Sequence, residues 1–450
     1  MASVTAQHHV VYLAHGVGNR EDLPIPAHDA FIGAALALIV SFVVLGLAWR
    51  TSRFHGDDSG RPLPRWLADI IDSPVTHAVL VTFALLFASW LTLAAFFGKD
   101  TLVNPVFGSV YVLLWVGLVP AALVFGPIYR LCNPLRWLHR GICALARIDY
   151  RNGLYEYPRR VGLWPAALTL FAFAWLELVD ANLSTSLSTI LLWFGFLAVF
   201  LVAGAMVFGD VWFARADPFE VYSSLVARLS PFGRRTDGVL VIRNPLENLD
   251  GMSPLPGLVG TVSVLLGSTA FDAFHGSAKW LSWSQKYTDH LVLVNNLGLI
   301  GFCLAVLLSL SLASIATAGL GSLPRRDLPA QFAHSIVPIV VGYVVAHYLS
   351  FFVSQGLQTL VELGDPFTRG WTAMTWVSDQ FNVYAIYEHP TGLAVTKVVA
   401  VVIGHVLGVI SAHDRAVRLL PRRHAIVGQL PMLVLMVAYT LTGLWLLFLP

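Results

Sequence analysis

The sequence has little charge for its length. Only 12% of its 450 residues are Asp, Glu, Lys or Arg, whereas 56% are hydrophobic. A soluble domain carries about 25% charged residues, and charge becomes scarce where side chains must enter hydrocarbon. The composition therefore indicates an integral membrane protein and argues against a soluble globular domain. The net charge of +2 gives no reason to expect a nucleic-acid partner.

Cysteine and recognisable catalytic motifs are also scarce. The three cysteines, Cys132, Cys143 and Cys303, form no metal-type CxxC pair and imply no disulfide framework. The chain has no HExxH, phosphate loop, dinucleotide fingerprint or nucleophile elbow. The first 16 residues lack an apolar core, so we expect no cleavable signal peptide.

Long apolar runs dominate the rest of the chain. A helix needs about 20 apolar residues to cross a bilayer. About ten segments meet this requirement and predict an all-α polytopic bundle. They are roughly 30–49, 77–97, 106–128, 162–179, 186–209, 255–275, 290–318, 331–358, 393–413 and 427–449.

Basic residues predict the orientation. Arginines crowd every second loop, after spans one, three, five, seven and nine, and the other loops have few basic residues. The positive-inside rule therefore predicts that both termini lie outside a cell inner membrane. The expected organisation is a tail at 1–29 and one transmembrane domain at 30–450, with a cytoplasmic loop at about 210–254 and an outer loop at about 359–392.

Those two long loops carry further predictions. Residues 220–229, "EVYSSLVARL", have the pattern of an amphipathic helix on the membrane surface. In the outer loop, Trp371, Trp376 and Tyr384 are expected near the membrane interface.

Two loop sequences resemble each other. "VFGPIYRLCNPLRW" at 124–137 parallels "VFGDVWFARADPFEVY" at 207–222, with a gap of about one residue. A duplicated helical hairpin explains the echo, since transporters contain parallel repeats. Chance similarity between two membrane-exit sequences explains it as well.

Five spans carry polar residues at helical spacing, so each has one polar face. The stripes are Thr261, Ser268, Asp272 and His275 in span six; Tyr343, His347, Ser350, Ser354 and Gln358 in span eight; Thr169, Glu177 and Asp180 in span four; Lys397 and His405 in span nine; and Asp289, His290, Asn295 and Asn296 in span seven. Such faces must point into the bundle or towards water.

The stripes supply a candidate site in the outer half of the membrane. Histidine and carboxylate together suit a divalent zinc, copper or iron ion, and the expected ligands are Asp272, His275, His347 and His405. Glu177 and Asp180 are the candidate catalytic carboxylates. A bound metal would generate a hydroxide nucleophile.

Structural roles compete with these assignments. Asp272 and His275 can be a solvated helix end, and His347 can make a structural hydrogen bond. His405 can be a packing residue, because Gly404 and Gly408 form a small-residue face beside it. The N-terminal His8, His9 and His15 fit either a tail or extra ligands. Asp210, Asp217 and Glu220 are expected to pair with loop arginines.

Eight stretches together resemble one bacterial family of multi-pass membrane proteins. They are "AHGVGNREDLPIP", "CNPLR", "AWLELVDA", "GDVWFARADPFEVY", "STAFDAFHG", "AHYLSFFVSQGLQ", "GHVLGVISAHDRA" and "PMLVLMVAYTLTGLWLL", and they follow one another from residue 14 to residue 447. Members of that family are commonly labelled fenitrothion hydrolase. The resemblance implies cleavage of organophosphorus triesters, with a small apolar substrate that reaches the site from the bilayer. In relatives the "AHG" follows what looks like a cleavable signal, whereas a short polar stretch precedes it here.

Three functions follow from these observations. The first is a membrane hydrolase with an outward-facing, metal-dependent site. The second is a transporter or permease for a metal ion or small solute, which ten spans, a mid-membrane His405 and an internal repeat favour. The third is the membrane subunit of a larger complex with a partner protein.

Overall fold

The computed structural model describes residues 27–317, 324–382, 385–420 and 427–449. Most of this part is helical and very little is strand, and the predicted all-α bundle is confirmed. His8, His9, His15 and Tyr384 lie outside the described residues, so the predictions made for them stay predictions.

The described residues form 21 α-helices and three short strands. The first twelve helices are α1 Ala27–Ala48, α2 Arg65–Ile71, α3 Pro74–Phe97, α4 Pro105–Gly108, α5 Leu118–Phe125, α6 Ile128–Cys132, α7 Pro134–Ala146, α8 Trp164–Leu178, α9 Ala181–Ser184, α10 Leu187–Phe208, α11 Phe213–Ala216 and α12 Pro218–Val226. The other nine are α13 Pro245–Asp250, α14 Leu258–His275, α15 Ala278–Ser284, α16 Leu291–Ala316, α17 Leu328–Phe332, α18 Val337–Glu362, α19 Trp376–Gln380, α20 Pro390–Leu419 and α21 Leu430–Phe448.

Many of these helices are long and apolar enough to cross a membrane. Within the described residues there are eight such helices, or up to nine if one bent helix pair counts as a single span. The apolar helix α8 is shorter. Each of the ten predicted segments coincides with one of these elements, and the protein is a multi-pass membrane protein. The count of ten and the position of the termini stay predictions.

The outer surface of α10 shows how the bundle meets lipid. Leu192, Phe196 and Val199 lie on one face and are exposed, whereas Leu197 and Leu201 on the opposite face are buried. Such a fully apolar exposed face is stable only against hydrocarbon.

The centre of the bundle is built from α14, α18 and α20, with α18 packed along α20. The two helices approach closely at Gly342 and Gly404, because a Cβ atom on Gly404 would lie 3.2 Å from Gly342 Cα. A Cβ atom on Gly408 would lie 2.7 Å from the carbonyl oxygen of Ser335. The small-residue face predicted at Gly404 and Gly408 is therefore confirmed, and it brings the polar faces of α18 and α20 together.

The third predicted span is bent. α4 continues into a π-helical stretch at Ser109–Val116, and the chain turns by 42° into α5. π-helical turns are rare and occur often at functional sites. This one places the buried Tyr111 and Trp115 beside α8 and α18.

We call the end of the bundle that carries the arginine-rich loops the inner end. Its strands are β1 Arg61–Pro62, β2 Phe232–Arg234 and β3 Leu240–Ile242, which pair antiparallel in the order β1-β3-β2. The prediction of a membrane-surface helix at 220–229 is wrong, because α12 is buried on nearly all sides by α5, α6 and α8. Its apolar face was read correctly, but protein rather than lipid covers it. α7 is a helix at this end that does expose an apolar face.

The two sequence echoes at the inner end have the same local structure. α5 and α10 each end at a glycine with positive φ, Gly126 at 72° and Gly209 at 75°. A short helix follows each glycine, and an Asx-Pro pair then starts the next helix, with Asn133 capping α7 and Asp217 capping α12. This shared order favours duplication over chance.

The two copies also contact each other through equivalent positions. Asn133 Nδ2 donates to Asp217 Oδ2 at 2.8 Å, which joins one N-cap to the other. Three positions after each cap, Arg136 Nη2 donates to Glu220 Oε1 at 2.5 Å and Arg136 Nε donates to Glu220 Oε2 at 3.1 Å. Both residue pairs are 84 positions apart in the chain. An approximate two-fold relation between the copies produces such a pattern.

Asp210 completes this network, because it forms ion pairs with Arg136 and, at 3.0 Å, with Arg140. We call Asn133, Arg136, Asp210, Asp217 and Glu220 the inner charge cluster. The predicted pairing of the three acids of this segment with loop arginines is confirmed for Asp210 and Glu220, whereas Asp217 takes its hydrogen bond from Asn133.

Candidate functional site in the membrane helices

The polar face of α14 points into the bundle. Thr261, Ser268 and Asp272 are all buried by protein. The two hydroxyl groups bond back to carbonyl oxygens of the same chain segment, Thr261 to Gly257 at 3.0 Å and Ser268 to Leu265 at 3.4 Å. Asp272 differs from them, because it accepts hydrogen bonds from His347 and Tyr348 on another helix.

Asp272 is joined to two residues of α18. Its Oδ2 atom accepts a hydrogen bond from His347 Nε2 at 2.9 Å and another from Tyr348 Oη at 2.6 Å. All three side chains are buried. A carboxylate that accepts two hydrogen bonds is stabilised in its charged form. The geometry therefore fits a charged Asp272 held between a histidine and a tyrosine.

The same bond fixes the state of His347. A carboxylate only accepts, so Nε2 must bear the proton. No described residue hydrogen-bonds to the other ring nitrogen, Nδ1. His347 thus has a nitrogen that can take up a proton while Nε2 stays bonded to Asp272.

Glu177 is the second acid of this region. It lies near the end of α8, is buried, and interacts electrostatically with Asp272, Tyr111 and Tyr222. No described residue donates a hydrogen bond to its carboxylate. We call Glu177, Asp272, His347 and Tyr348 the membrane cluster.

Two asparagines position the end of α8 that carries Glu177. Asn295 Nδ2 donates to the carbonyl oxygen of Val179 at 3.0 Å, and Trp175 Nε1 donates to Asn296 Oδ1 at 2.7 Å. The polar residues predicted at the start of span seven thus bind α16 to α8. Two others of that stripe, Asp289 and His290, are exposed.

The polar stripe continues along α18 and α20. Lys397 Nζ donates to Ser350 Oγ at 3.2 Å, one helix turn from His347. In the other direction the ring of Tyr343 stacks with that of His347, with 6.2 Å between centroids and 3° between planes. The predicted inward face of span eight is therefore confirmed.

His405 lies next to this stripe but is bonded to its own helix. Its Nδ1 atom is 2.8 Å from the carbonyl oxygen of Val401. A Cβ atom on Gly443 would lie 3.6 Å from the ring of Tyr343 and 3.9 Å from His405 Cε1, so both rings border the same point of α21. The structure does not place His405 beside Asp272 as a shared ligand.

Two other candidate residues have different surroundings. Asp180 is the N-cap of α9 and accepts a hydrogen bond from the backbone of Asn182 at 2.9 Å. No hydrogen bond or ion pair joins Asp180 to Glu177 among the described residues. The His275 ring packs in an aromatic group, 5.4 Å from the Phe271 ring and 6.2 Å from the Trp280 ring.

The described residues do not fit the expected metal centre. They contain no group of three or more His, Cys, Asp or Glu side chains placed to hold a metal ion. In addition, His347 Nε2 and Asp272 Oδ2 bond to each other, so neither atom can ligate an ion without breaking that bond. The metal stays a prediction.

Aromatic residues complete the cluster, and the sequence analysis missed them. Tyr348 donates a hydrogen bond directly to Asp272. Trp115, in the π-helical stretch Ser109–Val116, packs against Tyr222 of α12 with 5.0 Å between the ring centroids. Tyr348 follows His347 by one residue and therefore lies about 100° round the helix from the polar stripe. The available signal was its position in mid-span, because tyrosines of membrane helices are enriched at the interfaces instead.

Comparisons with protein-family models, curated proteins and solved structures found no match to this chain.

Proposed function

We propose that this protein is a proton-coupled membrane transporter and that the membrane cluster binds the proton. The observation that carries the proposal is the buried hydrogen bond between Asp272 and His347, which lie on the membrane-length helices α14 and α18. Ionisable residues inside membrane helices are costly, and they commonly mark proton relays and ion pathways.

The cluster can hold a proton at a defined atom. When His347 is neutral, its Nε2–H donates to the Asp272 carboxylate, and Tyr348 donates to the same oxygen. A proton that reaches Nδ1 makes an imidazolium, and the charge of the cluster rises by one. Glu177 is a second acceptor within electrostatic range. Because a buried charge is costly without a partner, each proton changes which arrangement of helices is favoured.

The stripe on α18 and α20 supports a path for the transported species. It places Lys397 and Ser350 on one side of His347, and Tyr343 and His405 on the other. The duplicated hairpin at the inner end also agrees with this function, since internal repeats are common in transporters.

Reconstituted vesicles test the proposal. Vesicles containing the wild-type protein would be given a pH gradient and a panel of divalent metal ions and small organic solutes, with internal pH read by a dye. We expect uptake of one class that carries protons with it and is abolished in Asp272→Asn. The control, Asp180→Asn, changes an acid outside the cluster and should keep uptake. Wild-type uptake that ignores the pH gradient, or that persists in Asp272→Asn, would contradict the proposal.

A second candidate is a membrane hydrolase of organophosphorus triesters. The observation that favours it is the same dyad, since Asp272 orients His347 and leaves Nδ1 without a described partner. A histidine held in this way can act as a general base. The resemblance to the fenitrothion hydrolase family motivates the choice of substrate.

In that reaction His347 Nδ1 would take a proton from water while the water oxygen attacks phosphorus. The bond from phosphorus to the aryloxide oxygen would break, and the aryloxide would leave. Release of nitrophenol by the reconstituted protein, and its loss in His347→Gln, would establish this function. Product release without solute uptake selects the hydrolase, and uptake without product selects the transporter.

We also propose that the protein lies in the cell inner membrane with both termini outside. The alternation of basic loops supports this orientation. Fusions of alkaline phosphatase and of green fluorescent protein to the C-terminus report the two sides, and a fluorescent C-terminal fusion would contradict it.

A further inference from the structure

Equivalent faces of α7 and α12 are apolar, but only one is covered by protein. On α7, Leu138, Ile142 and Leu145 are 51%, 38% and 88% exposed. Their counterparts 84 positions later are Tyr222 and Val226 on α12 and Leu229 in the 3-10 turn that follows it, and they are 1%, 2% and 9% exposed. The duplicated unit therefore has a face that one copy buries in the bundle and the other copy presents outward.

α7 is fixed at the inner end beside a membrane-spanning helix. The α12 side of α7 is anchored by Arg136, which is buried against Glu220. Another side packs against α10, where Cys143 Sγ lies 4.0 Å from Met206 Sδ. The exposed face thus lies beside the last turns of α10, which ends at Phe208.

The chain that follows α7 is strongly basic. Four exposed arginines lie within 14 residues, namely Arg147, Arg151, Arg159 and Arg160, against two acids, Asp149 and Glu156. Asp149 is used locally, because its carboxylate accepts from the Arg151 and Asn152 amides. No ion pair with a described residue occupies Arg147, Arg159 or Arg160.

We propose that α7 and the 147–160 segment dock on the anionic phospholipid headgroups of the bilayer that surrounds the protein. Leu138, Ile142 and Leu145 enter the boundary between headgroups and acyl chains, and the arginines contact lipid phosphates. An apolar helix face beside a basic segment has the chemistry of an interfacial membrane anchor. Each basic residue near an anionic surface adds about 1 kcal/mol of attraction. This inference does not depend on the transported solute or on catalysis.

A spin label at the most exposed apolar position tests insertion directly. The full-length protein with Cys132→Ser would carry a label at Leu145→Cys, since Cys143 and Cys303 are buried and Cys132 is half-buried. In nanodiscs we expect the label to be reached by oxygen and shielded from a water-soluble nickel complex. A matched label at the exposed turn residue Asp237→Cys should be reached by nickel. The proposal is overturned if nickel reaches the label at 145 as readily as the label at 237. It is also overturned if the label at 145 is shielded from both oxygen and nickel, which is the result that a covering protein partner would give.

Lipid composition tests the charge component. We expect the wild-type protein to unfold several degrees higher in nanodiscs with anionic lipid than in zwitterionic ones. The variant with Arg→Gln at 147, 151, 159 and 160 should lose most of that difference. The control Arg325→Gln/Arg326→Gln, which removes two other exposed arginines, should keep it. If the two variants show the same difference in unfolding temperature between anionic and zwitterionic nanodiscs, the role of the basic segment is overturned.

Discussion

The two buried charge clusters of this protein use similar residues but differ in the partner that neutralises the acid. In the inner charge cluster, Glu220 faces the guanidinium of Arg136 through two hydrogen bonds. In the membrane cluster, Asp272 faces a histidine and a tyrosine. Arginine keeps its charge at any working pH, whereas histidine gains and loses a proton near neutrality. The first cluster therefore suits a fixed structural joint, and the second suits proton exchange.

The largest expected effect comes from breaking the inner joint. Arg136→Met removes both arginine hydrogen bonds from the buried Glu220 and leaves only the exposed Arg130, 3.9 Å away, as a cation; breaking a buried ion pair in this way typically costs about 3–5 kcal/mol. We expect a much lower unfolding temperature in detergent and little folded protein in the membrane. Arg325→Met, at an exposed position, is the control.

The double variant Arg136→Met/Glu220→Met sharpens this test. Replacing both charges removes the unpaired acid, so the double variant should be more stable than Arg136→Met alone. A double variant that is less stable by the sum of both single losses would show that the two residues do not form one joint.

A smaller effect on stability is expected at the membrane cluster. Asp272→Asn keeps the shape and one acceptor but replaces two hydrogen bonds to a charged group, about 1.5–3 kcal/mol each, by neutral ones of about 1 kcal/mol each, so we expect a loss of about 2–3 kcal/mol. The unfolding temperature should fall less than in Arg136→Met, while proton-linked activity is lost completely. If Asp272→Asn unfolds at as low a temperature as Arg136→Met, then Asp272 has a mainly structural role, like the Arg136–Glu220 pair.

Tyr348→Phe should have a still smaller effect. It removes one hydrogen bond to the carboxylate and leaves that of His347 in place, so we expect a loss of about 1.5 kcal/mol in unfolding free energy, at the low end for a bond to a charged group, and reduced but measurable activity. Val344→Ala, on the same buried helix, controls for packing. Complete loss of activity in Tyr348→Phe would make the hydroxyl as essential as the carboxylate.

The smallest expected effect is the contribution of His139, at the inner end, to the pH dependence of stability. Burial lowers the pKa of His139 below its ordinary value, so the folded protein holds this ring neutral while the unfolded chain binds a proton near pH 6.5. Stability from this source is present above that pH and lost as the pH falls through it. His139→Gln should therefore lose less stability than the wild type between pH 7 and pH 5. Parallel unfolding curves for the two proteins would contradict this reading.

The fold followed from the sequence because its signal is local. The length and apolarity of a segment are enough to identify a membrane span. The inward faces of α14 and α18 followed from the helical spacing of their polar residues. The burial of α12 did not, because an apolar face looks the same whether protein or lipid covers it. The 84-residue echo contained the missing information, but only the structure shows that Asn133 meets Asp217 and Arg136 meets Glu220.

The candidate site was predicted in part. Asp272 and His347 were chosen as neighbours because both are ionisable and lie at one depth, and the structure joins them. Spacing could not show that Asp180 caps α9 or that His405 bonds to Val401. Both side chains hydrogen-bond to backbone groups of nearby residues, and residue spacing does not reveal such bonds. Tyr348 was missed because helical periodicity groups residues by face, and Tyr348 reaches Asp272 from the neighbouring face.

The most direct test of proton exchange at the membrane cluster is infrared spectroscopy of the reconstituted protein as a function of pH. Proton uptake at His347 Nδ1 strengthens the hydrogen bond from Nε2 to the Asp272 carboxylate and shifts the frequency at which that carboxylate absorbs, whereas proton uptake by Glu177 replaces a carboxylate band with a carboxylic-acid band. We predict that a pH-dependent change in the wild-type spectrum disappears in Asp272→Asn or shifts in His347→Gln, and that Asp180→Asn leaves it intact. Identical spectra for the wild type, Asp272→Asn and His347→Gln across the titration would contradict a proton-exchanging cluster.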